Sequence, residues 1–401
     1  SFIKADYAYT ASFDWKAASK SYVDKIGNLL QNSNTHNLNT SFNLSKLYLD
    51  TGFKKLFVKK ENPAKKTNNP FQAPQLPTVG KVKPTKKQTT KDKILLGVYD
   101  FITSIKTVKV SYSENNGTAL PGYTGVAGFL GRDNINGGMA PSLGFVFGSQ
   151  VDIKNRAFER GWLIDRPVGS EYYNRTYSNT HYNKLDYSFS LKPIKDLNIE
   201  IIGNRIRTDN ISQQLDVEGG VLNTSAPITQ MGNFSMSYSM LSTVFSDSDK
   251  LFQNLKDYQS IIANRLVDSN QKTDPNKFGS QETLLPAFLA AYSGDSPNSV
   301  GLKPFKNTPI PNWTLRYNGL MKFDWFKDNF TSFSISNGYK SSYTISNYTN
   351  NLQFGKRLEN PTTKKYESEL LISSATLIDE FSPLIKVDMK MKNSFSFRGE
   401  I

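Results

Sequence analysis

The sequence predicts an all-β fold: an antiparallel transmembrane β-barrel whose strands are joined by loops and a few short helices. Three observations predict it. Apolar and polar residues alternate with a period of two, the alternating runs are long, and tight turns alternate with very long connections. In residues 385–392, for example, every odd position is apolar and every even position is charged. Such a strand has one apolar face and one ionic face.

Residues 1–49 carry the first alternating runs, and we predict that they form barrel strands. Ile3 and Tyr7 lie on one face of the first strand, whereas Lys4 and Asp6 lie on the other. An outer-membrane barrel turns its apolar face toward lipid and lines its interior with polar groups. The runs approach the ~9–11 residues that a tilted strand needs to cross a membrane.

Residues 50–107 differ in composition from the rest of the chain. Between positions 54 and 93 there are twelve lysines and two acidic residues, so this stretch carries +10 (12 − 2) of the net charge of +14. With its prolines, it predicts an extended periplasmic loop, followed by a short helix near residues 95–105 and a strand at 108–113. Because the excess charge is confined to one loop, nucleic acid is not an expected partner.

The remaining chain divides into hairpins and loops, with the tight turns predicted on the periplasmic side and the long loops outside. The hairpins close at residues 192–196, 324–329 and 379–383. In order, the segments are a Gly- and aromatic-rich extracellular loop at 114–183, a barrel hairpin at 184–208, an extracellular loop with a helix at 209–311, a barrel hairpin at 312–347, an extracellular loop at 348–365 and a barrel hairpin at 366–401.

One helix is predicted inside the loop 209–311. Ser248 or Asp249 caps it, and its apolar residues recur at helical spacing, which indicates one packed face. These residues are Leu251, Leu255, Tyr258, Ile262 and Leu266.

Composition excludes several classes of protein. Only 37% of the residues are hydrophobic, and no run approaches the ~18 apolar residues of a membrane-spanning helix. The chain has no cysteine, and its two histidines, His36 and His181, stand apart from any carboxylate cluster. We therefore expect no catalytic residue, no metal site and no cofactor, and the chain is not predicted to be an enzyme.

The face of the strand on which each side chain lies predicts two sets of functional residues. The polar faces would line a lumen, and outward aromatic residues near strand ends would lie at the membrane interfaces. The lumen-facing candidates are Arg316, Lys322, Lys340, Lys386, Asp388, Lys390 and Lys392, and the candidates for the aromatic belts are Tyr7, Tyr9, Trp15, Trp313, Trp325, Tyr339 and Tyr343.

Several stretches of the sequence, taken in order, cover nearly all of the chain and resemble one family. They are residues 112–123 (YSENNGTALPGY), 128–131 (GFLG), 156–163 (RAFERGWL), 284–294 (LLPAFLAAYSG), 311–320 (PNWTLRYNGL) and 333–343 (FSISNGYKSSY). With these stretches the chain resembles the SprA/Sov family, the giant outer-membrane translocons of the type IX secretion system of Bacteroidota.

The resemblance implies that this chain is a late segment of a very large barrel that exports folded cargo proteins and, in gliding species, surface adhesins. It also implies partners: the rest of the same translocon polypeptide, a smaller outer-membrane barrel that accepts cargo, a periplasmic plug protein, the secreted proteins and the lipid bilayer. The family has no catalytic residues to carry over, and the last strand is expected to continue beyond Ile401.

Two other functions stay open on the residues alone. A TonB-dependent or porin-like outer-membrane transporter of small solutes would share the strand pattern. A soluble structural or adhesive β-rich surface protein would instead pack its apolar strand faces against another sheet.

Overall fold

A computed structural model describes residues 1–50, 98–99, 102–134, 137–139, 141–171, 174–268, 280–356, 361–362 and 367–401. The predicted antiparallel β-rich architecture with a few short helices is confirmed. Eleven strands form one antiparallel sheet, and two more form a small separate hairpin. Most of the predicted loop 50–107 lies outside the described residues. Of its predicted helix, residues 98–99 and 102–104 are helical.

The elements follow one another with long strands and short helices. In the first half they are β1 (Ile3–Lys16), α1 (Val23–Ile26), β2 (Asn28–Asn43), α2 (Leu44–Asp50), β3 (Ile105–Tyr123), α3 (Leu143–Val146), α4 (Lys154–Glu159), β4 (Thr176–Leu191) and β5 (Leu197–Gln214). In the second half they are β6 (Asp216–Glu218), β7 (Val221–Asn223), β8 (Thr229–Ser237), α5 (Ser248–Asp268), α6 (Gln281–Ser293), β9 (Asn312–Tyr317), α7 (Asp324–Asn329), β10 (Phe330–Asn350), β11 (Leu370–Phe381), β12 (Lys386–Met391) and β13 (Ser396–Glu400).

The large sheet begins at β1 and runs through β2, β3, β4 and β5 in sequence order. The next position is shared: β8 and β9 both lie between β5 and β10, each pairing with a different stretch of them. β11 and β12 likewise share the far side of β10, and β13 pairs with β12. Since two positions hold two strands each, the eleven strands occupy nine positions (11 − 2).

The chain leaves the sheet at the end of β8 and returns to the same position in the sheet as β9. After Ser237 it forms α5 and α6, and it re-enters the same position at Asn312. The Ile310 amide donates to the Ser237 carbonyl at 3.0 Å, which closes the base of the excursion. We call residues 238–311 the helical insert.

The sheet is open in the part of the chain that the structure describes. β1 pairs with β2 alone, and β11 and β13 form the opposite margin without pairing with β1. β1 is a long edge strand whose residues are almost all exposed.

Several predicted boundaries are wrong because the strands are longer than the alternation indicates. The strand predicted at 108–113 is β3, which extends to Tyr123, and the predicted loop 114–183 narrows to residues 124–175. From Ser113 to Thr118 both faces of β3 are polar, so the alternation disappears while the backbone ladder continues. Side chains reinforce the ladder there: Asn116 Nδ2 donates to Asn34 Oδ1 at 2.9 Å.

The predicted loop 209–311 also contains strands. β5 runs to Gln214, and β8 was not predicted at all. Its signal was present, since apolar and serine residues alternate strictly from position 234 to position 240. The apolar members of that run are Phe234, Met236, Tyr238 and Met240, and all four are buried.

The hairpin predicted at 312–347 differs at its turn. β9 ends at Tyr317; of the apolar residues after it, Met321 lies in a 3-10 turn, Phe323 lies between this turn and α7, and Trp325 lies in α7. Phe326 of α7 packs edge-on against Phe333 of β10, with ring centroids 4.9 Å apart. The aromatic spacing that resembled strand alternation therefore reflects a helix packed against the base of the next strand.

The hairpin predicted at 366–401 with a turn at 379–383 is wrong in its pairing. β11 and β12 lie in line along β10, and the actual hairpin joins β12 to β13. At the predicted turn the backbone stays bonded to β10: the Ser382 amide donates to the Gly338 carbonyl at 2.8 Å, and the Gly338 amide donates to the Pro383 carbonyl at 2.9 Å.

The helix predicted from Ser248 is confirmed as α5. Leu251, Ile262 and Leu266 on its predicted face are buried, and Leu255 and Tyr258 pack at the margin of the same cluster. Amphipathic spacing identified this face correctly because the helix packs on one side only.

Candidate functional site

The register of the large sheet gathers the apolar side chains on one face. Val108 of β3 lies opposite Phe42 of β2 and Phe189 of β4, and Phe189 lies opposite Ile201 of β5. Because cross-strand partners share a face, these residues form a continuous row. The other face carries polar partners such as Lys109.

The apolar face has an upper margin, on the side away from the turn 192–196. Along β3 the face is apolar from Ile105 to Tyr112, and the next residue on it is Glu114. Glu114 Oε2 accepts from the Tyr112 hydroxyl at 2.7 Å, and Glu114 Oε1 accepts from Asn116 Nδ2 at 3.0 Å. On β2 the same change occurs from Leu38 to His36. We call the apolar region below this margin the apolar band.

The apolar band is open to the surroundings. Between β3 and β4 it forms a shallow groove of about 340 Å³ lined only by apolar and aromatic side chains. These are Ile105, Val108, Val110, Leu185, Tyr187 and Phe189. On β4 the apolar face extends from Leu185 to Leu191, with the exposed Ile194 in the adjoining turn.

Where the apolar face continues above the margin, the helical insert covers it. Phe234 and Met236 of β8 and Tyr343 of β10 are each at most 1% exposed, and they pack in one cluster with Ile262 and Leu289 of the insert. The Tyr343 hydroxyl donates to the Pro304 carbonyl at 3.2 Å. The insert thus buries the part of the face above the margin on β8 and β10.

A second cap covers the upper ends of β1 to β4. Residues 124–175 pack Phe145 against Leu30 and Leu120 of the sheet. Polar residues join the same contact: Asn32 Nδ2 donates to the Phe145 carbonyl at 2.8 Å, and Asn34 Nδ2 donates to the Gly148 carbonyl at 2.7 Å. These amides satisfy carbonyl groups around α3 that burial would otherwise leave without partners.

A buried ion network fixes this cap to the hairpin of β6 and β7. Arg166 Nη2 donates to Asp216 Oδ2 at 2.9 Å, and Arg175 Nη2 donates to Asp216 Oδ1 at 2.8 Å. Arg166 also contacts Glu218 at 2.9 Å. Burial opposes ionisation of Asp216, but the hydrogen bonds from the two guanidinium groups outweigh it and lower the pKa of the carboxyl.

We expect Asp216→Asn to loosen the cap by about 1.5–3 kcal/mol, the range for hydrogen bonds to charged groups. Limited proteolysis within residues 124–175 measures this. Because the folded-state pKa of Asp216 is lowered, its contribution is complete above the unfolded value of about 3.9 and is lost as pH falls through the lowered pKa. Cleavage of the wild type should rise in that acidic range, and the variant should lack the step. Glu218→Gln, at a more exposed carboxyl, is the control.

The structure brings most lumen-facing candidates onto the polar face. Arg316, Lys340, Lys386, Asp388 and Lys390 occupy same-face positions of β9, β10 and β12. Lys322 and Lys392 lie in connections at the lower end instead. Sequence alternation placed these two on strands because it did not detect where β9 and β12 end.

Many charges of the polar face lie beside opposite charges. Lys386 Nζ lies 3.1 Å from Glu400 Oε2, and Arg398 Nε lies 3.4 Å from Asp388 Oδ1. Lys340 of β10 lies directly opposite Glu380 of β11. Paired charges of this kind produce a hydrophilic surface without a strong field of one sign.

The aromatic candidates separate into exposed and covered residues. Tyr7 and Tyr9 on β1 are 62% and 44% exposed, and Trp325 at the lower end is 64% exposed. Two predictions are corrected, because Tyr339 and Tyr343 are fully buried: Tyr343 lies beneath the helical insert, and the Tyr339 ring packs against those of Trp313 and Phe381.

The last two aromatic candidates are partly covered. Trp313 stacks on Tyr339 with ring centroids 4.5 Å apart, and Trp15 packs at the margin of the second cap.

Among the described residues there is no group of three His, Asp or Glu side chains that could hold a metal ion. No helix in these parts of the chain is both long and apolar enough to cross a membrane. No known family model matches this sequence, and no curated protein is significantly similar to it.

Proposed function

We propose that this chain forms part of the wall of a very large outer-membrane β-barrel that conducts folded proteins out of the cell. The proposal combines the apolar band with the resemblance to the translocons of type IX secretion. The apolar band is the observation that carries it, because the band is the part of the apolar face that the chain leaves uncovered.

Lipid is the proposed neighbour of the apolar band. A sheet that packed against a second sheet would need its apolar face covered over its full height. Here the helical insert and the second cap cover the upper part, and the band stays open. On β4 the apolar face spans seven residues, from Leu185 to Leu191, and Ile194 in the adjoining turn continues it, so the band approaches the ~9–11 residues that a tilted strand needs to cross. Tyr7 near the upper margin and Trp325 at the lower end would lie at the two interfaces.

A large barrel is favoured by the open margins of the sheet. About eight strands close the smallest membrane barrels. This sheet has nine positions, yet β1 and β13 lie at opposite edges. A sheet of nine positions whose edges stay apart is consistent with a wall of larger circumference, which further strands would complete.

The connections favour an orientation in an outer membrane. At the lower end two connections are short turns, residues 192–196 between β4 and β5 and residues 392–395 between β12 and β13, whereas residues 44–104 make one long connection there between β2 and β3. At the upper end lie the long connections 124–175 and 351–369. Short turns face the periplasm in outer-membrane barrels and long loops face outward, so the lower end is proposed to be periplasmic.

The polar face would line the conduit. A surface that passes proteins must not hold them strongly, since conduction requires that binding sites release what they bind. The paired charges at Lys386, Asp388 and Lys340 fit this requirement. The smaller outer-membrane barrel, the periplasmic plug and the cargo proteins remain proposed partners, on the family resemblance alone.

A photo-crosslinking amino acid placed at Lys340, in the full-length polypeptide in living cells, tests the function. We expect crosslinks to secreted proteins from Lys340 on the polar face and none from Val110 in the apolar band. Crosslinks from neither position would leave the small-solute transporter as the better reading. If the polypeptide also leaves the membrane fraction without detergent, the soluble surface protein would be favoured instead.

A further inference from the structure

The two margins of the sheet differ in how they receive a neighbouring strand. β1 pairs regularly with β2 over all fourteen of its residues, and its outer edge carries no bulge. The margin formed by β11 is interrupted instead. Its register with β10 shifts twice, between Ile345 and Asn347 and between Asn347 and Tyr348. Bulges of this kind end regular pairing at a sheet edge.

At the upper part of β11, a side chain occupies the place of a neighbouring strand. Gln281, the first residue of α6, donates from Nε2 to the Ile372 carbonyl at 2.9 Å and accepts from the Ile372 amide through Oε1 at 2.8 Å. This pair reproduces the two bonds that a paired strand would make with one residue. Glu282 adds a third contact, because its Oε1 accepts from the Glu369 amide at 3.2 Å.

Below the bulge, no described residue pairs with the outer edge of β11. The Ser341 amide donates to Asn312 Oδ1 and its carbonyl accepts from the Tyr238 amide, so both groups of Ser341 point away from β11. Asp379 lies opposite Ser341, and its own amide and carbonyl must therefore point away from β10. By the two-residue repeat, the same holds for Leu377 and, at the two ends of this stretch, for Ala375 and Phe381.

β13 already occupies the lower part of this margin. It pairs with β12 antiparallel, and the Ile401 amide donates to the Ile385 carbonyl at 3.0 Å. A strand that continues upward in line with β13 meets Phe381 next and then passes along β11. This margin therefore has three parts. β13 pairs with its lower part, no described strand pairs with residues 375–381, and Gln281 bonds to the edge at Ile372.

A cavity beside the open stretch accepts apolar side chains. It has a volume of about 240 Å³ and lies between α6 and β11. Leu284 and Phe288 line it from the helix, and Ala375 lines it from the strand. An apolar side chain of a strand next to Ala375 would project into this cavity.

We propose that one antiparallel strand, in line with β13 and belonging to the same wall, pairs with residues 375–381, and that Gln281 ends this pairing below Ile372. The inference rests on the proposed wall and not on the identity of what passes through it. The added strand would therefore end before it reaches Ile372, because Gln281 and Glu282 of the helical insert occupy the edge from there upward.

Amide hydrogen exchange of the full-length polypeptide in membranes tests both parts. In the wild type we expect the edge-facing amides of Leu377 and Asp379 to exchange slowly, as paired amides do. In Gln281→Ala the Ile372 amide should exchange about tenfold faster, consistent with the loss of one hydrogen bond, while residues 375–381 stay protected. Gln253→Ala, a glutamine on the surface of α5, should change neither region.

Each part can be overturned separately. Fast exchange at Leu377 and Asp379 in the wild type would mean that no strand pairs with the edge. Unchanged protection of Ile372 in Gln281→Ala would mean that a strand, and not the glutamine, covers this residue. Failure of crosslinking from Lys340 with a protected edge would reject the proposed export of proteins and leave this pairing in place.

Discussion

Val110→Lys is expected to abolish assembly of the polypeptide into membranes, whereas Ser111→Lys leaves it near the wild-type level. Val110 lies inside the apolar band between Thr40 and Tyr187. A lysine on the lipid face near the membrane midplane costs about 2–4 kcal/mol. Ser111 lies on the polar face opposite Asp186, where a lysine meets water and an opposite charge. The amount of folded protein in isolated membranes measures the difference.

A second substitution at the same position separates lipid from a packed protein neighbour. Val110→Phe enlarges an apolar side chain, and fluid lipid accommodates this at little cost. In a close-packed interface between two sheets the added volume would cost about 1–3 kcal/mol. Normal assembly of Val110→Phe together with loss of Val110→Lys supports a lipid neighbour. Equal effects of lysine at positions 110 and 111 would show that the facing is wrong.

The sequence predicted the lower part of the sheet better than the upper part. Around Val108 and Phe189 one face of the sheet is apolar and uncovered by the described chain, and the other is polar. The alternation is strong there, and it predicted both the strands and the turn 192–196. Above Tyr112 both faces are polar or covered by protein. The pattern weakens there, and the ends of β3 and β5 were missed.

Burial by distant segments is the other part that the sequence did not reveal. The alternation correctly placed Tyr343 on the apolar face, but local pattern does not show what lies against a face. The insert that covers Tyr343 is distant from it in the sequence. The carbonyl that accepts the hydrogen bond of the Tyr343 hydroxyl belongs to Pro304, 39 positions earlier. The contact of Gln281 with Ile372 likewise joins residues separated by 91 positions and has no sequence signature.

Phe234→Ala is expected to detach the helical insert from the sheet. Phe234 is fully buried, its ring centroid lies 5.5 Å from that of Phe305, and it lies 5.9 Å from that of Tyr343. The Arg205 guanidinium lies 5.4 Å from its ring centroid. Removing such a ring costs about 3–5 kcal/mol, through lost burial and the cavity left behind. Exchange and proteolysis within residues 238–311 should rise sharply.

Phe252→Ala is the matched control, because Phe252 lies on α5 of the same insert but is 52% exposed. Its ring lies against Lys256, whose Nζ is 4.5 Å from the ring centroid, so the loss of the ring should cost under about 1 kcal/mol. Similar proteolysis of the two variants would contradict the packing role of Phe234.

The two largest effects should respond differently to the bilayer. The Phe234 side chain is 0% exposed and contacts only protein, so Phe234→Ala should expose the insert equally in membranes and in detergent. If lipid is the neighbour, as proposed, the penalty at Val110 arises from hydrocarbon, and a flexible detergent layer, in which the lysine ammonium can reach water, should reduce it. A Phe234→Ala effect confined to membranes would mean that lipid, and not the sheet, holds the insert in place.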